Sequence, residues 1–252
     1  MGREGEANVR EWQGRTYWIV GASEGLGAAL SKQLSRVGAK LILSARTEER
    51  LTALSAELPG QSRVLPLDVT DTDAVRRAVD EAGDIDGLVY LAGAYWPMSA
   101  REWDTDKALT MLDVNLGGAM RVLGTAVPKM LERGRGHIVI TGSLVGIMGL
   151  PGAVGYGASK AGLINLAETM AADLADTPVE VQLVNPGFVR TRLTDKNDFR
   201  MPQIMEPEDA AREIFEHMNG DGFVRNFPLG LTWMLRAGKA LPRGLSRRMM
   251  KG

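Results

Sequence analysis

Two stretches of this chain could do chemistry. "GASEGLG" places glycines at 21, 25 and 27 between an apolar run and a helical pattern. Its first five residues fit G-x-S-x-G, the elbow that would present Ser23 as a nucleophile. The same residues fit a loop that cradles the phosphates of a dinucleotide. There Gly21 would turn the chain, while Gly25 and Gly27 would leave room for backbone to approach a pyrophosphate. The following helix would offer free N–H groups and a partial positive charge. The second stretch is "YGASK", with Tyr156 and Lys160 four residues apart, which on a helix is one face and about one turn. Ser143 ends the apolar run "HIVITGS". In a parallel sheet that end opens into the ligand crevice. Asn115 lies within a long helical pattern, where an amide is a poor helix former and needs a reason.

These residues need a scaffold. "TYWIV", "AKLILSA", "SRVLPL", "DGLVYLAG", "GHIVITGS" and "VEVQLVNPG" read as strands, several apolar throughout, as in a sheet covered on both faces. Helical patterns alternate with them at 25–37, 47–58, 71–81, 103–132 and 156–175. The alternation predicts a single-domain, doubly wound α/β fold of Rossmann type, with about seven mainly parallel strands. "EPEDAAREIFEHMNG" reads as a further helix and "DGFVRNFP" as an edge strand. The expected domain covers 1–228, with a tail at 229–252.

Composition narrows the options. The 252 residues carry 30 Lys and Arg against 31 Asp and Glu, a net charge of −1, which gives no global case for nucleic acid. No cysteine is present, which excludes disulfide and thiolate chemistry. Two histidines, His137 and His217, argue against a multi-histidine metal site, and no metal is expected. The polar N-terminus lacks the apolar core of a signal peptide, and no apolar run reaches the roughly 18 residues of a spanning helix. A cytoplasmic protein is expected.

The hydrolase reading of "GASEG" fails on its partners. A triad would run Ser, acid, His. His137 begins an apolar strand and reads as a strand-edge residue; His217, in a charged helix, reads as exposed. The second strand favours a cofactor. A site for NAD wants an acid near its end, but Ala45 stands there and Arg46 follows. An arginine can pair with a 2′-phosphate that a carboxylate would repel, and Ser44 could add a hydrogen bond. NADP is therefore expected over NAD. Asp68 could accept from the adenine amino group, or cap the next helix, as could Thr70 or Asp71.

Taken in order, Gly21-x-x-x-Gly25-x-Gly27, Asp68, Ala92-Gly93, Asn115, Ser143, Tyr156-x-x-x-Lys160 and Pro186-Gly187 with Thr191 resemble the short-chain dehydrogenase/reductase family, in its single-domain branch. The resemblance implies an oxidoreductase with Asn115, Ser143, Tyr156 and Lys160 as its catalytic residues. Tyr156 would give a proton in reduction and take one in oxidation, with Lys160 and the oxidised nicotinamide stabilising its phenolate. Ser143 would polarise the substrate oxygen. Asn115 would hold a water linking Lys160 to solvent, and Lys160 would also bind the nicotinamide ribose. Ser23, Glu24, Leu26, Val69, Ala92, Gly93, Val189 and Thr191 join the glycines, Pro186 and Gly187 around NADPH. The chain departs from the family in three places: Val20 replaces the usual threonine, Tyr90 and Leu91 replace two asparagines, and Glu24 stands where NADP members often carry a base.

Substrate choice in this family lies mostly in one loop, here about 190–206. Phe199, Met201, Pro202, Ile204 and Met205 could form a lid, and Tyr95, Trp96, Met98, Leu144, Ile147, Met148 and Leu150 the other walls, over a hydrophobic ketone, aldehyde or alcohol. A 3-oxoacyl thioester reductase and a non-catalytic NADPH-binding sensor are the alternatives. The helices carrying Asn115 and Tyr156 pair across subunits in the family, which implies a homodimer or homotetramer. The tail mixes apolar and basic residues without an acid. It reads as packing on its own domain or a neighbouring subunit, with peripheral membrane contact the other option.

Overall fold

The computed structural model describes residues 10–241. Seven strands form one sheet: β1 (Thr16–Val20), β2 (Lys40–Ser44), β3 (Ser62–Val64), β4 (Gly87–Tyr90), β5 (Gly136–Thr141), β6 (Val179–Pro186) and β7 (Val224–Phe227). Their order is β3-β2-β1-β4-β5-β6-β7, and every pairing is parallel. The strand at 62–67 is shorter than expected, because pairing with β2 ends at Val64. The chain winds outward from β1 to β3, then returns to place β4 on the other side of β1. The crevice at that reversal is where an open α/β sheet binds its ligand.

Helices cover both faces. On one, α1 (Gly25–Arg36), α2 (Glu48–Glu57) and α8 (Pro207–Met218) bury Leu30, Leu34, Leu51, Leu54 and Ile214 against Tyr17, Ile19, Leu41 and Leu43. On the other, α3 (Thr72–Ala82), α5 (Gly118–Glu132) and α7 (Val154–Asp173) bury Val75, Val79, Val122, Met130 and Leu163 against Trp18, Ile42, Leu88 and Ile140. Successive strand residues thus alternate between two cores. Asp71 caps α3 by accepting from the N–H groups of Asp73 and Ala74, both at 2.9 Å.

The helix expected over 103–132 is broken. It begins as α4 (Thr105–Leu112), capped by Asp104, and passes through a π turn at Asp113–Gly117 before α5. A π turn inserts a residue into the helical ladder, and Asn115 sits in the middle of it. Tyr90, one of the departures, has a role here: its hydroxyl donates to the Val114 carbonyl at 2.7 Å. Gly118 makes the approach possible, since a Cβ there would lie 2.5 Å from that hydroxyl.

Both histidines contradict expectation. β5 is central in the sheet, and His137 is buried between the Tyr17 hydroxyl at 2.8 Å and Gln182 Oε1 at 2.9 Å. The Gln182 amide nitrogen donates to the carbonyls of His217, Gly220 and Gly222, so its oxygen must accept. His137 Nε2 therefore carries the proton, and Nδ1 accepts from Tyr17. Burial pushes His137 down to about 3 and raises Tyr17. His217 is buried as well, with its pKa lowered chiefly by burial.

A short helix, α6 (Leu144–Ile147), follows β5, and α9 (Leu229–Ala240) follows β7. Leu231 and Leu235 of α9 pack on Leu144. The rest of the tail, 242–252, lies outside the described residues.

Candidate active site

The C-terminal ends of the strands enclose a crevice of about 430 Å³. Gly21, Ser23, Glu24, Gly25, Leu26 and Gly27 line it after β1, Arg46 after β2, Asp68 and Val69 beyond β3, and Ala92 and Gly93 after β4. Ser143, Tyr156, Lys160, Pro186, Gly187, Val189 and Thr191 complete it. Asn115 borders it through its contacts rather than lining it.

The glycine loop is shaped by close approach. Gly21 has φ +100°, and a Cβ there would lie 2.5 Å from the Ala92 nitrogen. A Cβ on Gly27 would collide with the Gly21 carbonyl. No side chain caps α1, so its leading N–H groups, which helices normally satisfy with a cap, face the crevice without a side-chain partner. An uncapped helix N-terminus behind such a turn fits a pyrophosphate.

Arg46 is exposed at the crevice rim and makes no ion pair among the described residues. Ser44 is a correction: it is fully buried, accepting from Trp18 Nε1 at 2.8 Å and donating to the Leu65 carbonyl at 2.6 Å. Ser44 shares its strand face with Ile42, so its hydroxyl points into the core that holds Trp18, while Arg46 follows after the strand has ended. Asp68 uses Oδ1 to hold the turn, accepting from the Thr70 backbone at 3.0 Å and hydroxyl at 2.7 Å, and its exposed carboxylate still lines the crevice.

Glu24 does not face the cofactor as a bare charge. It accepts from Arg50 at 2.8 Å and from Arg192 at 2.7 Å. Neither arginine was anticipated, because no local pattern pairs residues 168 positions apart. Through Glu24 the glycine loop is thus tied to α2 by Arg50 and to the substrate loop by Arg192. Beneath that bridge the Thr191 methyl lies directly over Gly25.

Tyr156 and Lys160 sit one turn apart on α7, with the ammonium 5.7 Å from the phenol ring centre. Lys160 is buried and donates to the Thr141 carbonyl at 2.9 Å. Burial lowers it to about 8. Burial also lifts Tyr156 to about 12, against the pull of the Ser143 hydroxyl beside it. Tyr156 is therefore a phenol at neutral pH, and Lys160 is mostly an ammonium. Ser143 caps α6 through a 3.3 Å bond from Val145 N and donates to the Pro186 carbonyl at 3.3 Å. Both bonds are long for their type, which leaves the hydroxyl available to a better partner.

The Asn115 amide is already engaged. Its oxygen accepts from Ala94 N at 2.6 Å, and its nitrogen donates to the Ala94 carbonyl at 3.1 Å and to Ser159 Oγ at 2.8 Å. Ser159 in turn donates to the Tyr156 carbonyl at 2.8 Å. The amide thus ties the turn after β4 to the first turns of α7. Ser159 was overlooked, though a hydroxyl immediately before Lys160 was visible.

The substrate side is mixed. Tyr95 meets Tyr156 edge-on with ring centres 4.8 Å apart. Lys196 lies 4.4 Å over the Trp96 ring and donates to the Tyr95 carbonyl at 2.7 Å, so the substrate loop is closed onto that wall. Phe199 packs edge-on against Phe188. Met98 and Leu144 are core residues rather than open walls. Among the described residues no cluster of His, Asp and Glu could hold a metal, and no helix is long and apolar enough to cross a membrane.

Residues 15–201 match the family model described as short chain dehydrogenase. An uncharacterized oxidoreductase of Myxococcus xanthus is 37% identical over 249 residues, covering 94% of this chain and 96% of that protein. A 3-oxoacyl-[acyl-carrier-protein] reductase of Thermotoga maritima is 36% identical, covering 73% and 78%. A solved short chain dehydrogenase of Burkholderia cenocepacia in complex with NADP superposes with a TM-score of 0.85 at 24% identity, covering 96% of this chain and 99% of that one. An actinorhodin polyketide ketoreductase with NADPH superposes at 0.77 with 25% identity, covering 87% and 97%.

Proposed function

This chain belongs to the short-chain dehydrogenase family, oxidoreductases of the CH–OH/C=O pair, and we propose that it uses NADPH to reduce a hydrophobic ketone or aldehyde to its alcohol. The observation that carries the reading is the convergence of Ser143, Tyr156 and Lys160 at the inner end of a crevice whose outer end holds an uncapped helix N-terminus and Arg46, which makes no ion pair among the described residues. Two similar folds solved with NADP or NADPH support the choice of cofactor.

Gly21, Gly25, Gly27 and the first N–H groups of α1 would hold the pyrophosphate. Arg46 would pair with the 2′-phosphate, and Asp68 and Val69 would flank the adenine. Ala92, Gly93, Pro186, Gly187, Val189 and Thr191 would enclose the nicotinamide half. Bound there, the cofactor supplies the hydride. The Ser143 hydroxyl donates to the substrate carbonyl oxygen and stabilises the negative charge that grows on it. The Tyr156 phenol passes its proton to that oxygen, completing the alcohol. The Lys160 ammonium lowers the energy of the phenolate left behind, and solvent then reprotonates it. Asn115 acts through position: its clamp on Ala94 and Ser159 sets α7, and with it Tyr156, against the strand ends.

A 3-oxoacyl thioester is the second substrate class. Relatives bearing that reductase name are 31% to 36% identical, and Arg192 and Lys196 on the substrate loop could meet an acidic carrier. We also propose a homodimer or homotetramer through α5 and α7; Met120, exposed on α5, is consistent with a covered helix face. NADPH consumption should be measured across hydrophobic ketones, aldehydes and 3-oxoacyl thioesters. Turnover with NADPH and weaker turnover with NADH is expected. Tight NADPH binding without turnover of any compound would instead favour a sensor.

A further inference from the structure

Helix α9 is two-sided. Its inner face buries Leu231, Thr232 and Leu235. Its outer face exposes Leu229 at 67%, Trp233 at 66% and Met234 at 45%, beside exposed Arg236 and Lys239. From 229 to 252 the sequence carries six lysines and arginines and no aspartate or glutamate. A contiguous apolar face of this kind marks a surface that something covers.

The charge decides what covers it. A two-fold contact between copies would set the basic segment against itself, bringing like charges together. Nucleic acid would use the cations but leave Leu229, Trp233 and Met234 without apolar partners. An anionic bilayer uses every component: the tryptophan at headgroup level, the leucine and methionine below it, and the cations against lipid phosphates.

We infer that the outer face of α9 docks on an anionic lipid surface, holding the mouth of the substrate crevice against the membrane. The position of α9 gives the docking its consequence. α9 packs on α6, which begins directly after Ser143. Gly230 abuts the side chain of Gln203 in the substrate loop. A lipid-dissolved carbonyl compound would therefore reach the crevice from the bilayer. That last step rests on the reductase reading above; the docking does not.

The test is flotation of the full-length protein with vesicles of phosphatidylcholine alone, and with about one third phosphatidylglycerol added. Binding to the anionic vesicles only is expected, weakening as salt rises. Arg236→Gln with Lys239→Gln should weaken vesicle binding about thirty-fold, and Trp233→Ser should also weaken it. Because all three side chains are exposed, NADPH binding should stay at the wild-type level and report intact folding. Equal binding to neutral vesicles, no binding to anionic ones, or unchanged binding by the variants would overturn the docking. So would variants that dissociate an oligomer in sedimentation without losing vesicle binding, since that assigns the face to a second copy. Docking without reduction of any vesicle-dissolved carbonyl would support the surface and count against the substrate reading.

Discussion

Lys160 makes the proposed chemistry pH-dependent in a direction the structure fixes. Its ammonium is buried with one carbonyl partner, which lowers it from 10.5 to about 8. The charged form, which stabilises the Tyr156 phenolate, dominates below that value and is lost as pH rises through it. With a pKa of about 8, the ammonium fraction falls from about nine-tenths at pH 7 to about one-tenth at pH 9. Carbonyl reduction at saturating NADPH should therefore lose about tenfold in kcat/KM over that interval. Tyr156 does not produce the same break, because it stays protonated up to about 12. Lys160→Arg keeps a charge at every accessible pH. It should be slower than wild type, since the guanidinium does not fit the ammonium's place, but flat from pH 7 to 9. The profile should be recorded for both proteins with one ketone, with cofactor binding checked at each pH. A wild-type profile flat beyond pH 9, or an arginine variant with the same break, would refute the assignment.

Other consequences follow from single side chains. Arg46→Asp should reverse the cofactor preference, with kcat/KM for NADPH falling by about a hundredfold while NADH improves; an unchanged preference would remove Arg46 from the phosphate site. Glu24→Gln releases Arg50 and Arg192 and should tighten NADPH binding up to about fivefold relative to NADH, read by fluorescence titration. His137 should make the fold acid-sensitive. Its folded value of about 3 lies below the unfolded 6.5, so the unfolded chain binds more protons between them, and stability is full above 6.5 and falls as pH drops. The loss by pH 5 is about 2 kcal/mol, measurable by urea unfolding. His137→Gln should be less stable at neutral pH but show a shallower dependence.

What could be read from the chain follows the range of the interaction. The strands stood out because burial on both faces demands continuous apolar runs, and the Tyr156–Lys160 pair because its geometry depends on one helical turn. Gly27 was readable for the same reason, since its close contacts fall within the loop itself; Gly21 was readable from its place in the motif, although its close contacts lie after β4. Ser44 was misassigned because a strand apolar on both faces hides which way each residue points. The break at Asp113–Gly117 was missed because a π turn leaves the helical pattern almost intact and shows only in its bonding. His137 looked peripheral because its partners, Tyr17 and Gln182, come from other strands. The ion pairs of Glu24 to Arg50 and Arg192 were invisible for the same reason, yet they change the meaning of a residue that had seemed to argue against NADP.

The central claim is that Tyr156 delivers the proton to a carbonyl reduced by NADPH. Tyr156→Phe removes one oxygen from a half-buried ring and leaves the cofactor cradle intact. NADPH binding by the variant should match wild type, while kcat for a ketone that the wild type reduces falls by at least about a hundredfold. Full activity in the variant with normal NADPH binding would contradict the account.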